Sequence, residues 1–144
     1  MPDQIFISYS SKDADFVSRL ASSLEHAGIS TWVDRKAIRG GDRWMDVLAN
    51  AMADSSAVVL VISPDSVKSP WVMKEISFAA RRGMQVIPVL YRTTEIPALF
   101  DFSIGGLQRV DFTEGTFEDA VISLTGAIQK QQQKTPGQIE RAAA

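Results

Sequence analysis

Residues 57–62, Ala-Val-Val-Leu-Val-Ile, form an apolar run without a single polar interruption. A strand with one wet face alternates apolar and polar side chains, so this run reads as a central parallel strand covered on both faces. Such a strand requires helical layers on either side of a sheet. The chain then turns through two serine–proline pairs, Ser63-Pro64 and Ser69-Pro70, into a helical pattern. Ser69 is a natural N-cap and Pro70 suits the first helical position, where a missing N–H costs nothing. The helix is therefore expected to start just before Trp71 and to end at Gly83. Trp71 and Glu75, four residues apart, share one face near its start.

The remaining segments repeat this alternation. Residues 5–9 read as a buried strand ending in serines. From Ser11 a helix keeps Phe16, Val17, Leu20, Leu24 and Ala27 at helical spacing until Gly28 caps it. Residues 29–33 form a second strand ending at Asp34, which also suits a cap on the loop that follows. Residues 35–43, with two glycines and several charges, form an exposed loop. A helix with Trp44, Leu48, Ala51 and Met52 runs to about Asp54. A fourth strand spans 84–91, with Pro88 expected to mark a strand terminus or bulge. Residues 93–106 hold at most a short helix, 107–112 an edge strand, and 116–131 a last helix with Phe117, Val121, Leu124 and Ile128 on one face. Strands alternating with helices imply right-handed crossovers in an α/β three-layer sandwich of flavodoxin-like type, a five-stranded parallel sheet in the order 2-1-3-4-5. In that order ligands sit outside the loops after strands one and three, beside Ser10, Ser11 and the approach to Trp71. The expected organisation is one domain over 1–131 and a polar tail or linker over 132–144.

A chain of 144 residues, 45% of them apolar, suffices for one core. A net charge of -2 and a pI near 5.3 give no concentrated basic face, so neither nucleic acid nor a membrane surface is an expected partner. Without cysteine there are no disulfides and no thiolate catalysis, and His26 has no second histidine with which to share a metal, so no metal site is expected. The N-terminus lacks a leader pattern and no apolar run approaches the ~18 residues that span a bilayer, so a cytoplasmic location is expected.

The chemistry is narrowed by elimination. Neither a dinucleotide-binding Gly-x-Gly-x-x-Gly nor a P-loop is written here, and Gly40-Gly41 follows strand two rather than strand one. A phosphoacceptor domain needs acidic residues after strand one and an aspartate ending strand three; here these places hold Ser-Tyr-Ser-Ser and Ser63. A flavin site needs a threonine- and glycine-rich first loop. One carboxylate, Glu75, remains near the predicted cleft. Ordinary glycosidases need two carboxyl groups, one of them to protonate the leaving oxygen. The nicotinamide of NAD is bonded as a pyridinium cation and departs as a neutral base, so one carboxylate can suffice to stabilise the ribosyl cation, with an aromatic face stacked on the charged ring. The plain alternative is a solvated glutamate complementing the helix dipole and a tryptophan that packs in the core, and spacing alone favours it.

Resemblance adds a further consideration. Ile5-Phe6-Ile7-Ser8-Tyr9-Ser10-Ser11-Lys12-Asp13 resembles the first box of Toll/interleukin-1 receptor (TIR) domains. Trp32-Val33-Asp34 and Ile38-Arg39-Gly40-Gly41-Asp42-Arg43-Trp44 resemble their second strand and BB loop. Val59-Leu60-Val61-Ile62-Ser63 with Ser69-Pro70-Trp71-Val72-Met73-Lys74-Glu75 resembles the third strand and catalytic helix of NAD-cleaving members. The resemblance runs in register over about 4–131. It implies that Glu75 is catalytic, that Trp71 is the aromatic residue preceding it, that Tyr9, Ser10 and Ser11 meet the nucleotide, and that Arg39 and Trp44 lie in the loop closing over it. Each has a plainer role: Tyr9 in the core, the serines as caps, Arg39 in solvent, Trp44 packed under its own helix. The BB loop lacks the proline of animal adaptors, and Phe117-Glu118 stands where those carry Phe-Trp, which points to a bacterial-type member.

The resemblance thus implies an NAD+ glycohydrolase or cyclase, with NAD+ as substrate and no cofactor. It further implies self-association with other TIR domains, a tethered sensor domain as partner, and a role in antiviral defence. The alternatives are a non-enzymatic TIR–TIR interaction module and a nucleoside deoxyribosyltransferase-like enzyme.

Overall fold

The alternating pattern resolves, among the described residues, into β1 (Gln4–Ser8), α1 (Ala14–His26), β2 (Thr31–Trp32), α2 (Trp44–Ala53), β3 (Ser55–Ile62), α3 (Pro70–Arg81), β4 (Val86–Leu90), β5 (Val110–Asp111) and α4 (Phe117–Ala143). The computed structural model describes residues 4–33, 44–98, 100 and 109–143. The strands form one all-parallel sheet in the order β2-β1-β3-β4-β5, the expected order.

β3 lies at the centre, and its side chains alternate between two cores. Ala57, Val59 and Val61 join Ile5, Ile7 and Tyr9 under α1 and α4, where Val17, Leu20, Leu24, Leu124 and Ile128 are buried. Val58, Leu60 and Ile62 join Phe6 under α2 and α3, with Leu48, Met52, Val72, Ile76 and Phe100. Each fully buried aliphatic or aromatic side chain contributes about 1.5–3 kcal/mol as an upper estimate. The two cores make the sheet the middle of three layers.

Helix ends follow the local chemistry. Gly28 and Gly83 adopt φ of 86° and 67°, left-handed conformations that close α1 and α3 without a Cβ clash. Ser69 caps α3, its Oγ accepting from the Val72 N–H at 3.3 Å, with Pro70 in the first turn. α1 is preceded by a short 3₁₀ turn, Ser11–Asp13, so the α-helix proper begins at Ala14.

Three expectations are corrected. β2 pairs over two residues only, Thr31 and Trp32 opposite Ile5 and Phe6, shorter than the expected 29–33. β3 begins at Ser55, before the apolar run, through pairing of Ser55 with Gln4 and a register shift before Ile5. Pro88 lies inside β4, in register with Leu60, rather than at a terminus or bulge. The Val58 N–H donates to Gln85 O and the Tyr91 N–H to Ile62 O, so odd-numbered residues of this segment bond toward β3 and even-numbered ones toward β5. Among the described residues pairing with β5 starts at Val89, so the missing N–H of Pro88 breaks no ladder bond described there.

Backbone beyond residue 131 continues as α4 to Ala143. Among the described residues no helix is long and apolar enough to cross a membrane.

Candidate active site

Glu75 is fully buried. α3 follows the C-terminal end of β3 after a loop that holds a 3₁₀ turn, Ser66–Lys68, and the bond from Ser8 to Glu75 sets its second turn at the carboxyl end of β1. β1 and β3 are the two neighbours from which the chain departs in opposite directions, to β2 on one side and to β4 on the other. In open parallel sheets this is where ligands bind.

Two neutral donors hold the Glu75 carboxylate. The Ser8 hydroxyl, from the last residue of β1, donates to Oε1 at 2.7 Å, and the Trp71 indole Nε1–H donates to Oε2 at 2.8 Å. Trp71 reaches its partner because residues four apart on a helix are stacked one turn above the other. Trp71 is itself half-buried. An O–H and an N–H fix the two oxygens in place without themselves bringing a positive charge to the carboxylate.

A second polar network ties the flanking loops together. Asp13, 4% exposed, accepts a short hydrogen bond from the Ser63 hydroxyl through Oδ2. Ser63 and Ser66 exchange bonds in turn: the Ser63 N–H donates to Ser66 Oγ at 2.9 Å and the Ser66 N–H to Ser63 Oγ at 3.1 Å. The loop after β1 is thereby fastened to the loop after β3. Lys12 and Asp65 cross the same gap at 3.9 Å, an exposed pair that adds little.

The structure brings together Glu75, Trp71 and Ser8. Tyr9 points to the opposite core, with its hydroxyl donating to Val33 O at 2.9 Å. Ser10 caps the 3₁₀ turn, accepting from the Lys12 N–H at 3.2 Å, and Ser11 is exposed beside it. Arg39 and Asp34 lie outside the described residues, as does the side chain of Trp44, whose backbone opens α2. His26 is an exposed residue of α1, bonded to Ser22 O, and no group of metal-binding side chains occurs among the described residues.

Ser8, Asp13 and Ser63 were not singled out by sequence reasoning. For Ser8 a signal existed: β1 alternates, Phe6 faces the α3 side, and Ser8 is the next position on that face, in register with Leu60. For Asp13 there was none, because an aspartate opening a helix reads as a solvated cap.

Known proteins share this fold and stretches of this sequence. A 2′ cyclic ADP-D-ribose synthase, AbTIR, from Acinetobacter baumannii is 29% identical over 104 residues, covering 69% of this chain and 38% of the relative. An NAD(+) hydrolase, PdTIR, from Paracoccus denitrificans is 36% identical over 76 residues, covering 52% of this chain and 25% of the relative. The chain thus spans well under half the length of either. The TIR domain of the Toll-related receptor TRR-2 from Hydra magnipapillata superposes with a TM-score of 0.73 at 25% identity, covering 87% of this chain and 97% of that one. The family model described as TIR domain matches residues 5–125, and with the sheet order and the boxes in register the chain belongs to the TIR domain family.

Proposed function

We propose that this domain is an NAD+ glycohydrolase or cyclase in which Glu75 is the catalytic carboxylate. The observation that carries the reading is a fully buried glutamate held by Ser8 and Trp71 at the carboxyl ends of β1 and β3. Relatives named as a cyclic ADP-ribose synthase and an NAD(+) hydrolase support it. In the reaction the bond between the ribose C1′ and the nicotinamide nitrogen breaks, and its electron pair leaves with the nitrogen, which becomes a neutral pyridine. Glu75 stabilises the resulting oxocarbenium ion. Water adding at C1′ and losing a proton to solvent gives ADP-ribose; a hydroxyl of the same molecule doing so gives a cyclic isomer.

Trp71 offers its indole face to the pyridinium, favourably while that ring is charged. Tyr9, Ser10 and Ser11 on the β1 side, with Arg39 and Trp44 beyond β2, are proposed to hold the rest of the nucleotide. The reaction as drawn uses no cofactor and no metal. Self-association with other TIR domains, coupling to a sensor domain through the segment after residue 131, and a cytoplasmic role in antiviral defence complete the proposal.

The test is incubation of concentrated protein with NAD+, with nicotinamide, ADP-ribose and cyclic products separated. Glu75→Gln is expected to lower turnover by about 100-fold or more. A variant as active as the wild type would remove the carboxylate from the mechanism. Wild-type protein that leaves NAD+ intact but recruits other TIR domains would favour the interaction module, and turnover of nucleosides alone would favour a deoxyribosyltransferase.

A further inference from the structure

Ser8 and Trp71 hold the same carboxylate in unlike settings. Ser8 is fully buried and ends β1, a strand hydrogen-bonded to β2 on one side and β3 on the other. Ser8 itself is in register with Leu60 of β3, so its Oγ is carried by sheet backbone, and its donor is directed at Glu75 Oε1. Trp71 is half-buried, on the first turn of a helix, and holds Oε2. Oε1 is thus the oxygen on the sheet side, and Oε2 the one on the side that borders solvent. A glutamate has three rotatable side-chain bonds, so a helix backbone alone does not fix where its oxygens lie. A bond from a second, rigid element does.

We infer that Ser8 is a positioning residue for Glu75: it anchors Oε1 to the sheet so that Oε2 faces the sugar, without touching substrate itself. The inference rests on the glycohydrolase reading of Glu75. Removing the hydroxyl takes away the anchor on the sheet and leaves Oε1 to turn about the bond that Trp71 keeps to Oε2, which lowers the rate of the chemical step while the nucleotide still binds through its other contacts. The signature is a fall in kcat with KM nearly unchanged.

The experiment compares wild type, Ser8→Ala, Ser8→Thr and Glu75→Gln in steady-state NAD+ cleavage, with a thermal melt of each to establish that it is folded. Ser8→Ala is expected to lose about 10- to 100-fold in kcat, with KM within about twofold of wild type. Ser8→Thr, which keeps the hydroxyl, is expected to recover most of the loss; should the extra methyl group unfold it, Ser8→Cys takes its place and is expected to fall between alanine and serine. Four results overturn the inference: kcat of Ser8→Ala within about twofold of wild type, a rise in KM at constant kcat, a folded threonine variant as slow as alanine, or a cysteine variant no faster than alanine. An inactive Glu75→Gln beside a fully active Ser8→Ala refutes the role of Ser8 alone. A fully active Glu75→Gln refutes the glycohydrolase reading.

Discussion

Glu75 lies where a carboxylate is expensive to keep. Bringing such a group out of water costs several kcal/mol even after relaxation, and hydrogen bonds to it return about 1.5–3 kcal/mol each. Glutamine at the same place has none of the charge penalty. Its amide oxygen still accepts from Trp71 Nε1, and its amide nitrogen donates to Ser8 Oγ if that hydroxyl turns from donor to acceptor. Glu75→Gln is therefore expected to melt at the same temperature as wild type or higher while losing turnover, a divergence that calorimetry beside the NAD+ assay would detect. A lower melting temperature would mean that the glutamate is kept for packing. Far from the site, exposed Asp111 has its pKa lowered by the Thr113 hydroxyl, then by the Thr113 N–H, bonded at 2.5 and 2.7 Å. A depressed carboxyl pKa supports the fold above its unfolded value, and that support disappears as pH falls through the folded value. Thr113→Ala should move the Asp111 titration back upward toward the ordinary range of an aspartate, as read by carboxyl NMR.

The elements meet through the loops after β1 and β3, and the buried Asp13–Ser63–Ser66 network is what fastens them. Ser63→Ala removes the donor to Asp13 and leaves a buried acceptor unmet, a loss of about 1–3 kcal/mol in denaturant unfolding. In an Asp13→Ala background the same change should cost much less, since the acceptor is already gone. Equal costs in both backgrounds would show that the two side chains do not work as a pair. The elements themselves were largely legible from periodicity and capping: the Ser69-Pro70 start and Gly83 end of α3 follow from local chemistry and hold in the structure. What could not be read was decided between elements. The length of β2 is set by its pairing with β1, which covers Ile5 and Phe6 only. Pro88 is tolerated because of which neighbour its side of the strand faces, which is not visible along the chain.

At the scale of the whole molecule, the unbroken run 57–62 was enough to require a covered parallel sheet, and the alternation around it gave the order of strands. The central pair of the site was legible too, since Trp71 and Glu75 share a helix. Ser8 reaches Glu75 across 67 positions of sequence, and only the face parity of β1 hinted at it. If a neighbouring copy completes the site, turnover per molecule should rise with protein concentration and fall on dilution. Specific activity that stays constant down to a demonstrated monomer would show that one copy is sufficient.

The grip on Glu75 comes from two layers at once, the sheet through Ser8 and the helix through Trp71. The carboxylate therefore gauges how α3 is seated: a shift of the helix along the sheet by about an ångström stretches the sheet-side bond while leaving the one within the helix intact. Anything that grasps the outer surface of α3 would in this way have a handle on the reaction centre without coming near the nucleotide.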